Sequence, residues 1–66
     1  MPDLSTPNQI LEKALQKEMQ ARDLYAELAQ NTSVGFVKEL LETLHNEESK
    51  HVHMIQTMLR KLESEF

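Results

Sequence analysis

Two long stretches of this chain place apolar residues at alternating three- and four-residue steps, and one short polar break separates them. That pattern leaves little choice of fold. The first stretch has an inward seam of Leu11, Ala14, Glu18, Ala21, Tyr25 and Leu28. The second has Val37, Leu41, Leu44, Glu48, His51, Ile55, Met58 and Leu62. Such spacing is that of a helix face packed against other helices. Thr6-Pro7-Asn8-Gln9 is a helix start: threonine caps, proline suits the first turn, and Gln9 can complete a capping box. Asn31-Thr32-Ser33 interrupts the pattern and offers Thr32 or Ser33 as the cap of a second helix. The expectation is one all-α domain over residues 1–66. It has a loose leader at 1–6, a helix at 7–30, a turn at 31–33 and a helix at 34–63. A turn this short makes the two helices an antiparallel hairpin.

Three seam positions break the apolar rule: Glu18, Glu48 and His51. Burying an unpaired carboxylate costs several kcal/mol, so carboxylates in such places are paired or bind metal. Glu18 lies some dozen residues before the turn and Glu48 some fifteen after it. At ~1.5 Å of rise per residue the two heights differ by only a few ångströms. His51 follows one helical turn after Glu48, on the same side. The three side chains are therefore expected to converge at one level.

Composition narrows the classes. At 66 residues the chain can form one domain at most, and few chains this short build a generous core alone. It has no cysteine, which excludes disulfides and thiolate metal sites. A net charge of −4 disfavours nucleic acid as a partner. MPDLSTPNQ is polar and carries an acid, unlike a signal peptide, and no apolar run reaches membrane-spanning length. A cytoplasmic location without membrane contact is the expectation.

A lone hairpin leaves half of each seam wet. Two hairpins related by a twofold axis form a four-helix bundle that buries all four seams, so a homodimer or higher homo-oligomer is expected. The axis would gather two copies each of Glu18, Glu48 and His51, giving four carboxylates and two imidazoles. Their charge would balance two divalent cations. Oxygen and nitrogen donors of this kind suit iron, manganese or zinc, and ligand type alone does not choose among them.

These residues resemble the ferritin-like di-iron carboxylate proteins, which take a Glu from each of two helices and Glu-x-x-His from each of the other two. The rubrerythrin branch is the most similar. Its first-helix pattern of Glu, Ala and Tyr is matched by Glu18, Ala21 and Tyr25 within EMQARDLYAELAQ, and NEESKH supplies Glu48 and His51. The likeness covers nearly the whole chain but only half of the usual four-helix domain. In this the chain is similar to the encapsulated ferritins, single hairpins whose metal site forms between protomers. The resemblance implies a ferritin-like four-helix bundle made from two chains. It implies two iron ions per dimer, held by Glu18, Glu48 as a bridging ligand, and His51 as the nitrogen ligand. Tyr25 would lie near the metals as a hydrogen-bond partner or electron donor. The implied chemistry is oxidation of Fe(II) by dioxygen or peroxide. An encapsulin shell, and with it a protein nanocompartment, is the partner this likeness suggests, although no docking peptide is recognisable after Leu62.

Each residue also has a plainer reading. Glu18 could pair with Arg22, four residues on. Glu48 could set register in a dimer seam. His51 could be a core histidine satisfied by a neighbour, or could pair with Glu47. Tyr25 is most simply a core aromatic with its hydroxyl on a carboxylate. Met19, Met54 and Met58 read as packing rather than ligands. A second Glu-x-x-His, Glu42 with His45, points about 100° away from the seam and reads as surface. His53 reads as solvated. Two rival functions remain open: a non-catalytic helical dimerisation or adaptor module, and a structural divalent-metal site without redox turnover.

Overall fold

In a computed structural model that describes residues 6–65, the chain is an antiparallel pair of helices, α1 (Pro7–Gln30) and α2 (Gly35–Glu65). No strand occurs among the described residues. Most of the expected leader, residues 1–5, lies outside them. No helix is long and apolar enough to cross a membrane.

Local chemistry sets the helix ends. Thr6 caps α1, its hydroxyl oxygen accepting from the Gln9 N–H at 3.2 Å, with proline in the first turn. Gln9 does not reach back to the Thr6 backbone as a capping box would. Its side-chain oxygen instead accepts the Thr6 hydroxyl proton at 2.8 Å. At the far end the Asn31 N–H donates to the Leu28 carbonyl at 3.1 Å, closing the last turn. Neither Thr32 nor Ser33 caps α2 directly. The Thr32 hydroxyl accepts from the Val34 N–H at 3.2 Å, and the Val34 carbonyl takes the first helical bond from Lys38 at 3.0 Å. That small turn delays α2 to Gly35, one residue later than the spacing suggested. The helix then runs two residues past Glu63.

The hairpin encloses very little. Only Ala29 and Val52 fall to 5% exposure. They mark two points on one line of contact, Ala29 beside the turn and Val52 about midway along α2, with half-buried Leu41, Ile55, Leu59 and Leu62 along the same side of α2. Nine large apolar side chains stay exposed among the described residues: Ile10, Met19, Leu24 and Leu28 on α1, Val34 in the turn, and Phe36, Leu40, Met54 and Met58 on α2. At about 100° per residue, all of the helical ones except Met19 fall to one side of the contact line on each helix. Because the helices are antiparallel, the two strips lie on the same face of the hairpin. The opposite flank of α2, carrying Lys38, Glu42, Gln56 and Arg60, is polar. The hairpin therefore has one greasy face and one wet one.

Met54 and Met58 are 62% and 53% exposed, so they pack against nothing substantial within one chain. The inward places expected for His51 and Met58 are taken by Val52 and Leu59, each one residue along. The line of contact between the helices is thus rotated slightly from the expected seam, and His51 and Met58 sit on its rim.

Candidate metal centre

Glu18 lies twelve residues before the end of α1 and Glu48 thirteen after the start of α2. At ~1.5 Å per residue those arms differ by little more than one residue's rise. The hairpin accordingly places the two carboxylates across from each other, and His51, one turn on, leans over them. One ligand atom from each of Glu18, Glu48 and His51 can be chosen so that all lie within 4.8 Å of one another. His51 Nδ1 is 3.5 Å from Glu18 Oε2 and 3.5 Å from Glu48 Oε1. An imidazole nitrogen facing two carboxylate oxygens either directs an N–H at them or shares a cation with them, because a bare lone pair there would face two anions.

The group is neither buried nor fully open. Side-chain exposure is 19% for Glu48, 31% for Glu18 and 49% for His51. Its open side is the apolar face of the hairpin. Among the described residues, no lysine or arginine pairs with either glutamate. Arg22, the plain alternative partner of Glu18, bonds Asp23 instead, Nε to Oδ1 at 3.1 Å. His51 contacts Glu48 and Glu18 rather than Glu47. The two acids thus have one shared partner, the imidazole between them. Two carboxylates and a nitrogen donor at this separation fit a divalent first-row metal, in donor type and in charge.

Tyr25 is half-buried on the same side of α1, two turns from Glu18, and no hydrogen bond joins its hydroxyl to the glutamates. His53 is exposed, as a solvated residue would be. His45 is the residue that spacing misjudged. It is not a surface residue but half-buried, and its Nδ1 lies 3.0 Å from the Arg22 carbonyl of α1. The signal for this was present: with Leu41, Glu48, Val52 and Leu59, His45 makes a seam as regular as the one that omits it.

A family model for rubrerythrin matches residues 9–66. The chain belongs to the rubrerythrin family. Rubrerythrins typically bind iron, and a carboxylate and imidazole group able to take a metal ion is present here. No curated protein and no solved structure matched the chain.

Proposed function

We propose that two copies of this hairpin pair through their apolar faces, bind two iron ions between them, and oxidise Fe(II) with dioxygen or peroxide. The observation that carries this reading is the cluster itself. Glu18, Glu48 and His51 bring ligand atoms within 4.8 Å of one another at the middle of the face that most needs covering. One hairpin supplies three side chains, too few to enclose a metal. A twofold copy doubles them to four carboxylates and two imidazoles and excludes water from the apolar surroundings. The four negative charges then match two divalent ions. Iron held there would supply two electrons from adjacent ions to one oxidant molecule.

The chain's own residues do the rest. Glu18 and Glu48 bind through oxygens and can move between one- and two-oxygen contact as the charge they face changes. His51 fixes a nitrogen donor on the rim, and at 49% exposure it is the ligand nearest to solvent. Tyr25, two turns along α1 from Glu18, takes the near-metal hydrogen-bonding role only by the family likeness.

Metal analysis combined with native mass measurement tests the binding. Two iron ions per dimer support the reading. A dimer with no metal, whose melting is indifferent to chelator, replaces it with a helical association module. Aerobic addition of Fe(II), followed by optical absorption and oxygen or peroxide consumption, tests the chemistry. Stoichiometric metal without oxidant consumption would reduce the site to a structural one.

A further inference from the structure

The hydrogen bond from His45 to Arg22 stands apart from the other side-chain hydrogen bonds of the described residues. The remaining side-chain hydrogen bonds among the described residues join positions no more than four apart in sequence. Of these hydrogen bonds only that of His45 joins one helix to the other, with its Nδ1 3.0 Å from the Arg22 carbonyl oxygen; the His51–Glu18 contact of the cluster, at 3.5 Å, also spans the helices but ends on a side chain. A carbonyl oxygen can only accept, so Nδ1 carries the hydrogen and donates. Its partner is a backbone atom of α1, which cannot swing away as a side chain could. The bond therefore fixes the height of α2 against the α1 backbone.

Its place in the chain gives that height a use. Arg22 lies one turn after Glu18, and His45 lies three residues before Glu48. Both run toward the turn, so the bond occupies the layer immediately next to the cluster. The apolar contact in this region is a poor ruler. On α1 it consists largely of alanines, Ala21, Ala26 and Ala29, which offer little relief to lock a neighbouring helix lengthwise. The cluster, by contrast, is intolerant of sliding. A shift of one residue moves a side chain ~1.5 Å along the axis and ~100° around it. That would carry Glu18 out of reach of His51, which now stands 3.5 Å away.

We infer that His45 is a positioning residue: its Nδ1–H to Arg22 carbonyl bond sets the interhelical register that holds Glu18 against Glu48 and His51. It touches no ligand and no metal. It acts by holding α1 and α2 at the one offset where the three donors meet. The effect on metal binding rests on the functional reading above; the hydrogen bond and the register do not.

Two measurements keep these apart. The first uses metal-free protein: 15N spectra of the imidazoles identify which ring nitrogen of His45 bears the hydrogen. The expected result is the Nδ1–H form, whereas an Nε2–H form with a bare Nδ1 overturns the inference, whatever the protein binds. The second is Co(II) titration read by visible absorption on wild type, His45→Leu and His45→Asn. Asparagine places an amide N–H where Nδ1 stands, while leucine keeps the bulk and removes the donor. Leucine is expected to weaken Co(II) binding by about tenfold or more, in the range seen when outer support of a metal site is lost. Asparagine should restore both the affinity and the wild-type spectrum. His45→Leu binding as tightly as wild type, or His45→Asn being as weak as His45→Leu, refutes the role. If His45→Leu loses its helical circular dichroism, the wild-type and asparagine titrations still decide, because a failing asparagine variant that remains folded counts against the inference. A wild type that binds no Co(II) overturns the metal reading and leaves the imidazole spectra to judge the register.

Discussion

Replacing Glu48 with glutamine should move stability in opposite directions with and without metal. Glu18 and Glu48 bring oxygens within 4.8 Å of each other, with only His51 between them. Two unit charges at that distance repel by about 0.9 kcal/mol in water-like surroundings and about 3.5 kcal/mol at an effective dielectric near 20. Both side chains are partly exposed, at 31% and 19%, so the lower half of that range applies. His51, shared by both acids, offsets part of the repulsion. Glu48→Gln keeps the shape and removes one charge, and should raise metal-free stability by about 1 kcal/mol, or ~4–8 °C in a domain this small. Metal reverses the order. A ligand at a hundred times its dissociation constant stabilises the folded state by ~2.7 kcal/mol, and the variant loses that gain. The assay is thermal unfolding by circular dichroism, in chelator and in excess Mn(II) under identical protein concentration. The expected result is crossed curves, with the variant melting higher in chelator and the wild type higher in metal. A variant that melts lower in chelator, or rises with metal as much as wild type, would refute the argument that Glu48 is a strained carboxylate waiting for a cation.

Three further substitutions probe the packing. Leu44→Asp puts a charge beside the exposed strip and should shift the protein toward single hairpins; sedimentation at micromolar concentration showing an undisturbed dimer would count against pairing through that face. Val52→Ala removes buried carbon at one of the two most enclosed positions, and should cost about 2 kcal/mol by denaturant unfolding with little change in slope. A negligible loss would mean the contact line lies elsewhere. Gly35→Ala should stabilise by ~0.4–1 kcal/mol, because a Cβ there meets nothing within 4 Å in the first turn of α2. A lower melting temperature would show that Gly35 is constrained by something other than its own helix.

The hairpin was legible in the sequence because several levels of information agreed. The three-and-four spacing, the Thr6-Pro7 start and the polar break all pointed to two helices, and the counts of residues on either side of the break brought Glu18 level with Glu48. Periodicity was less able to fix the rotation of each helix. At a step of about 100° per residue, Val52 and Leu59 compete evenly with His51 and Met58 for the inward position. The choice depends on how closely the partner helix approaches. Small residues on α1 permit a close approach; Ala14, level with Val52 in this register, leaves room for Val52 to turn inward while His51 stays on the rim. His45 was misjudged for the same reason: a rotation of a fraction of a turn separates a solvated imidazole from one that reaches a backbone carbonyl. Polar residues were the harder part to place because an imidazole can be satisfied by water, by a carboxylate or by the main chain. Only the three-dimensional offset of the helices decides among these.

The bend between the helices deserves to be counted as chemistry. It contributes no donor atom, yet the four residues 31–34 bring α2 to the coarse offset at which His45 can reach the Arg22 carbonyl and Glu48 stands opposite Glu18. One residue inserted there would leave every ligand in the sequence and scatter them in space. Selection on metal affinity in such a chain would therefore fall on the length of its loop as heavily as on the identity of its glutamates.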